Sequence, residues 1–529
     1  NLQNECPAWF YLTDISYHLL GVTAICARFL SLFFGVFSIL LIYLIAYRIT
    51  TPKIAVISSI LLAISAYVIR YTLMEMDISM MFFILLGFYY FTKDIDENKL
   101  SYYPSIFLGI AMLIKPIALP FIASFVIYYF FFIDSKVGRL NWFKSNKKKI
   151  LISLLILLLF AMPIISFNII LHEQKGITDV LFSRFFKVNQ TIYSSLQGYD
   201  KSFSLSYFFS DGIPWVIKDS FFKLDPVISV LGILGIILIF SFSKYKKAKF
   251  FVSFHIIPFI FLVGSSLLQT NFTSFMPLLC FGAAILIDFI SERLSNKFNQ
   301  KTLIYLALII IFIINILIIL PNLTSQSAVF KMRNYASSNI PDSALVVADG
   351  RIYGGQIAWM LNDKNYLNAQ YLEQLIDLNN NLTSKKIQTE IYFLECTNGD
   401  CGWGTIKDQP EFNKSMTDLF SYVKENAEKT KVIFGGGGYG EPTGQQYFTV
   451  YKMPIAVSPE IYSAIQSTHV WFYYPVRWQA SDWYDKYTPN TTFQSFLNLI
   501  GKIMLWLAVI IAILSPILVI KEFLDKKIE

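Results

Sequence analysis

The segment Arg70-Tyr71-Thr72-Leu73-Met74-Glu75-Met76-Asp77 sets one cation and two carboxylates between two apolar runs, 54–69 and 78–91. One hydrophobic segment further on, Lys115-Pro116 interrupts another apolar run. Carboxylates take up or orient protons, and ammonium or guanidinium groups hold anions. Ionisable groups are expensive in or beside hydrocarbon, so their meeting at one membrane surface marks a functional-site candidate. Each residue also has a blander explanation. Asp77 is placed to cap the helix that follows it, and Lys115 can snorkel to the interface. Glu75 and Asp77 would point opposite ways on a helix and share a face only in an extended segment. The coincidence of Arg70, Glu75, Asp77 and Lys115 at one surface favours function.

The elements that position them are membrane helices. The chain has 529 residues, 55% of them hydrophobic and 17% aromatic, with mean hydropathy +0.52. Repeated apolar runs predict about eleven spans: 22–47, 54–73, 77–92, 103–114, 117–133, 150–171, 226–242, 250–268, 273–290, 302–320 and 497–520. Those flanking Lys115 are short, as expected of tilted helices or of broken helices packed inside protein. The net charge of +8 does not indicate nucleic acid, because it collects in alternate loops. Arg48 with Lys53, Lys93 with Lys99, Lys147-Lys148-Lys149, Lys244 to Lys249, Arg293 to Lys301, and Lys521 to Lys527 fill every second loop. By the positive-inside rule those loops are cytoplasmic, which puts the N-terminus outside and the C-terminus in the cytoplasm.

The expected fold class is therefore mainly α: a polytopic helical membrane domain over 1–320, an extracytoplasmic α/β domain over 321–495, and a final span with a cytoplasmic tail over 496–529. Within the first, 1–20 suits a helix lying at the outer interface, and 172–225 forms an aromatic-rich outer loop. In the second, 344–348, 390–394 and 431–434 read as strands, with helices through 357–361 and near 414–428. Gly435-Gly436-Gly437-Gly438-Tyr439-Gly440 follows a strand but lacks the Lys-Ser/Thr of a phosphate loop, and reads as a flexible turn. The aromatic segment Trp471 to Tyr484 suits an interfacial belt or a sugar contact. His255 reads as a packed core residue, and His18 and His172 lack the spacing of metal ligands. Cys396 and Cys401 flank a turn where a disulfide can form. Sequons at Asn189, Asn271, Asn322, Asn381, Asn413 and Asn490 all fall on the predicted outer side.

Pro7-Ala8-Trp9-Phe10-Tyr11, then Ala27-Arg28-Phe29-Leu30-Ser31-Leu32-Phe33-Phe34-Gly35 after Gly21, and Leu108-Gly109-Ile110-Ala111-Met112-Leu113-Ile114-Lys115-Pro116 stand in order along the chain. These three stretches resemble the membrane glycosyltransferases of the GT-C superfamily, in particular the protein O-mannosyltransferase and lipid A aminoarabinose transferase group. Asp77 with its Phe-rich helix resembles the family's second acidic motif. The likeness is good over 5–135, vaguer to 320 and absent beyond. The family's main carboxylate lies upstream of the proline motif, where this chain has only Asn1–Cys6, so the sequence is expected to lack its true beginning. Where the family carries a basic residue and Tyr ahead of the helix matching 273–290, this chain reads Gln269-Thr270-Asn271-Phe272-Thr273.

The resemblance implies inverting transfer of a sugar from a polyprenyl (dolichyl-type) phosphate donor to an outer-face hydroxyl on protein or lipid. It implies an integral membrane protein, in a prokaryotic plasma membrane rather than the endoplasmic reticulum. Asp77 and Glu75 would be the site carboxylates; Arg28, Arg70, Lys115, Tyr11 and Pro7 would bind substrate. A divalent metal ion is admissible, although no ligand set for one is evident. Two other classes stand beside this one: a transporter or flippase of a lipid-linked substrate, and a membrane-anchored binding or assembly protein.

Overall fold

A computed structural model of the chain describes residues 7–21, 23–72, 76–97, 99–131, 139–178, 182, 189–190, 205–265, 268–324, 326–352, 354–382, 385–397, 401, 410–436, 444–467 and 489–528. Glu75, residues 1–6, most of 179–204, residues 437–443 of the glycine-rich turn and the aromatic segment 471–484 lie outside the described residues. The chain divides into two compact units, Asn1–Ile319 with Pro489–Glu529, and Leu320–Thr488.

The first unit is helical. Its helices are α1 (Pro7–Leu20), α2 (Ala24–Ile49), α3 (Pro52–Ala63), α4 (Ala66–Tyr71), α5 (Met76–Asp96), α6 (Tyr103–Ile114), α7 (Leu119–Phe131), α8 (Arg139–Lys175), α9 (Pro226–Ser241), α10 (Lys246–Ser265), α11 (Met276–Leu294) and α12 (Gln300–Thr324). After the second unit the last helix, Thr492–Ile528, rejoins the bundle and packs along α8. Among the described residues seven helices are long and apolar enough to cross a membrane, and four apolar helices are shorter: 52–63, 103–114, 116–127 and 226–241. The protein is an integral membrane protein.

The expected span 54–73 is broken. Ser65 starts α4 by accepting from the Val68 N–H, and the freed Ile64 carbonyl accepts from Asn315 Nδ2 at 3.0 Å. Both polar groups are buried in protein, which is the condition for non-helical backbone inside a bundle. α5 is apolar on every face and is buried almost throughout, as a central helix must be. The basic loops expected on one side do meet. Arg48 and Lys247 both pair with Asp96, at 3.1 and 3.0 Å. Lys53 pairs with Asp288 and Lys93 with Glu522, each at 2.7 Å. Asp96 ends α5 and Asp77 lies in its first turn, so the two stand about 30 Å apart at 1.5 Å per residue. The bundle has one ion-paired end and, at the far end of α5, the Asp77 end.

α9 and α11 cross with glycine at the contact. A Cβ on Gly235 would lie 1.8 Å from the Gly282 carbonyl oxygen, and one on Gly232 would lie 2.5 Å from that of Leu279. Close backbone approach through small residues is a main source of helix association where lipid removes the hydrophobic drive. Because α11 carries the turn 269–275 at its start, this crossing also fixes part of the site described below. Gly235→Val is expected to push the helices apart and lower the melting temperature of the purified protein in detergent. An unchanged melting temperature would contradict the crossing.

The second unit is an α/β sandwich. Its strands β1 (Leu345–Ala348), β2 (Asn365–Asn368), β3 (Ile387–Cys396), β4 (Glu428–Phe434) and β5 (Gln446–Val457) lie in the order β2-β1-β3-β5-β4. β1 is parallel to β2 and β3, while β5 runs antiparallel to β3 and β4. Val346, Ala348, Tyr392 and Leu394 face helices 328–339 and 354–360 through Met332 and Met360. Leu345, Val347, Ile391 and Phe393 face helices 372–381, 410–426 and 459–467 through Leu375, Phe420 and Ile461. Burial on both faces explains why these strands read as continuous apolar runs rather than alternating ones. Beyond β1, Asp349 accepts from the Arg351 guanidinium and the Cys396 N–H. Cys396 is disulfide-bonded to Cys401.

Candidate active site

Lys115 owes its position to Pro116. Proline cannot donate to a helix, and it forces the preceding residue out of helical geometry. Lys115 accordingly ends α6 in extended conformation (φ −154°, ψ 121°) with its N–H bonded to the Ala111 carbonyl. The side chain leaves the helix end sideways and meets Asp77. Its Nζ donates to both carboxylate oxygens at 2.8 Å and to Asn271 Oδ1 at 2.9 Å. An ammonium has three N–H groups, and each is engaged. Asp77 and Asn271 are fully buried, whereas Lys115 keeps 16% of its side chain exposed. The ammonium is thus held by Asp77 and Asn271, with part of the Lys115 side chain left exposed. A pair buried this deeply gains little stability over apolar residues, yet removing one partner strands a charge. Such a pair suits a site better than a staple.

Asn271 comes from a turn of 3-10 helix, Gln269–Phe275, that leads into α11. Gln269 anchors this turn. Its Oε1 accepts from the Tyr71 hydroxyl at 3.1 Å, and its Nε2 donates to the Asp219 carbonyl at 2.6 Å. Its own carbonyl accepts from the Tyr67 hydroxyl, which also bonds Ser220 Oγ at 2.8 Å. Asp219 lies in Val216–Phe222, which is π-helical, and such segments recur at functional sites. Within the turn, Thr273 and Ser274 hydroxyls bond the Thr270 and Asn271 carbonyls.

Other residues singled out in the sequence are placed as follows. Arg70 is half-buried in the last turn of α4, beside Tyr71. Arg28 is exposed near the start of α2. Pro7 is buried at the start of α1. The Tyr11 ring packs edge-on against Trp506 of the last helix, centroids 5.3 Å apart. The structure therefore brings together Asp77 and Lys115, and adds Asn271, which the sequence offered only as a departure and as a glycosylation sequon. With its amide buried on Lys115, Asn271 is not a glycan acceptor in this fold. His255 is buried among Phe121, Phe251, Phe254 and Phe275, with Nδ1 at the Phe251 carbonyl. Among the described residues no three His, Cys, Asp or Glu side chains gather in a way that could hold a metal ion.

Residues 4–167 match the family described as Dolichyl-phosphate-mannose-protein mannosyltransferase, a span that contains Asp77 and Lys115. No curated protein matches the chain in sequence. In three dimensions it is similar to ArnT from Cupriavidus metallidurans in the apo state, with TM-score 0.53 and 11% identity over 85% of this chain and 87% of that one. The same protein bound to undecaprenyl phosphate is similar at TM-score 0.51 and 12% identity, with the same coverage. The shared region is larger than the helical unit alone, so the likeness extends past residue 320, where none is visible in sequence. The chain has an ArnT-like fold.

Proposed function

We propose that the protein is a membrane glycosyltransferase that moves a sugar from a polyprenyl-phosphate donor to a hydroxyl acceptor at the extracytoplasmic face. The observation that carries this reading is the Lys115–Asp77–Asn271 cluster, a cation with part of its side chain exposed at the end of the bundle away from its basic loops. That position fits a phosphate at the membrane surface with its prenyl tail among the helices.

In the reaction the acceptor oxygen attacks the anomeric carbon, and the bond from that carbon to the phosphate oxygen breaks. The electron pair leaves on the polyprenyl phosphate, and the acceptor proton passes to a base. Lys115, giving up one of its two Asp77 contacts, meets the charge that develops on the phosphate, in surroundings where low dielectric strengthens the interaction. Asp77, with both oxygens on Lys115, serves as its counter-ion. It holds the ammonium in place and returns it after the phosphate leaves. Arg70, on the adjoining helix end, is the second cation assigned to the donor, and Glu75 the second carboxylate of the site. Attack opposite the leaving phosphate inverts the anomeric centre.

The reading is tested with the full chain in lipid nanodiscs and a panel of radiolabelled undecaprenyl-phosphate sugars. Release of undecaprenyl phosphate with transfer of label to an acceptor is expected for at least one sugar. No consumption of any donor, with accelerated transbilayer movement of the lipid instead, would favour the transporter class and overturn the proposal.

A further inference from the structure

Gln269 is bonded to two of the elements that flank the turn bearing Asn271, α4 and the π-helical segment 216–222. Its side chain joins Tyr71 of α4 to the Asp219 carbonyl of the π-helical segment, and its carbonyl takes the Tyr67 hydroxyl. Two residues later, Asn271 reaches Lys115. Leu268 and Asn271 are joined by a backbone bond of 3.1 Å, so a shift of Gln269 moves Asn271 with it. An amide is the side chain this position needs. The Tyr71 hydroxyl requires an acceptor and the Asp219 carbonyl a donor, and glutamine offers one of each. A glutamate would set a carboxylate oxygen against the carbonyl. An alanine would leave both of those groups without their glutamine partner.

We propose that Gln269 is a positioning residue, which through the 269–275 turn holds Asn271 against Lys115 and so fixes the direction in which the ammonium meets the donor phosphate. The inference rests on the transferase reading for its consequence but on geometry for its mechanism. Asn271 takes one of the three ammonium hydrogens, and Asp77 takes the others from the α5 side. When Asn271 moves, the ammonium swings about Asp77 and loses the fixed direction on which phosphate contact depends. A misplacement on the order of 1 Å is enough to lower turnover by about 10²-fold.

The test is a double-mutant cycle in the full chain in nanodiscs, with Gln269→Ala, Asn271→Ala and the pair. One readout is transfer from the donor that the wild type uses. The other is the rate at which a small amine-reactive reagent modifies Lys115, followed by peptide mass spectrometry, which needs no turnover. Both single variants are expected to raise Lys115 modification and to cut kcat by about 10²-fold. The pair should match Asn271→Ala alone, because Gln269 acts through Asn271 and coupled sites are not additive. Effects that multiply, or Lys115 modification at the wild-type rate in Gln269→Ala, would overturn the proposal. Should Gln269→Ala fold poorly, Tyr71→Phe removes only the hydroxyl on Oε1 and should raise Lys115 modification to a lesser degree; no rise would count against it. Transfer absent from the wild type itself, with the modification pattern as expected, would refute the transferase reading and leave the positioning role standing.

Discussion

Lys115→Ala is expected to lower sugar transfer by about 10²–10³-fold, the usual cost of deleting one donor that stabilises developing charge, and to destabilise the protein at the same time. The catalytic loss would follow from removing the charge proposed to face the leaving phosphate. The loss of stability has a different origin. Asp77 is fully buried and would be left as a carboxylate without its cation, a change that costs about 3–5 kcal/mol. The two effects separate in the double variant Lys115→Ala/Asp77→Asn. It carries no buried charge at this point, so its melting temperature should recover towards that of the wild type while transfer stays as low as in Lys115→Ala. Transfer near the wild-type rate in Lys115→Ala would remove Lys115 from the site.

Asp77→Asn is the second large effect, and it divides binding from turnover. The amide has nearly the shape of the carboxylate but does not hold an ammonium through two charged oxygens at 2.8 Å. Lys115 remains present and positive, so polyprenyl phosphate should still bind, within several-fold of the wild type. The ammonium is no longer returned to one position, and transfer should fall by about 10²-fold, the scale of a misplaced catalytic group. The measurement is Kd for undecaprenyl phosphate beside kcat for transfer. Wild-type turnover in Asp77→Asn, or equal losses of binding and turnover in Asp77→Asn and Lys115→Ala, would contradict the division of roles.

Much of the helical unit is legible in the sequence, for physical reasons. Apolar runs of membrane length admit few structures other than helices, and the alternation of basic loops assigned to one side the loops that meet through Arg48, Asp96, Lys53, Asp288 and Glu522. The Lys115-Pro116 pair announced a helix end because proline dictates the geometry of the residue before it. Asp77 was visible as a carboxylate beside an apolar run. What the sequence did not disclose is who meets whom. Asn271 lies 156 residues from Lys115, and Gln269 lies 198 from Tyr71; neutral amides leave no charge signal in an apolar background. The available signal was the cluster Gln269-Thr270-Asn271-Phe272-Thr273-Ser274, dense in hydrogen-bonding groups just before a long apolar run. In the second unit, β1, β3 and β4 overlap the strands expected at 344–348, 390–394 and 431–434. β5, twelve residues long, has no single periodicity to reveal it, because it pairs on both sides and carries Pro454 within it.

The geometry also narrows the meaning of the cation cluster. Arg28 is exposed near the start of α2. Lys115 is held by the Asp77 carboxylate and the Asn271 amide, with part of its side chain exposed. The most direct measurement is a structure of the full chain with undecaprenyl phosphate bound. The account predicts a phosphate oxygen at hydrogen-bond distance, about 3 Å, from Lys115 Nζ, with Asn271 still in contact and the prenyl tail running between helices. Phosphate bound elsewhere, with Lys115 still closed on Asp77 and Asn271 as it is without lipid, would contradict it.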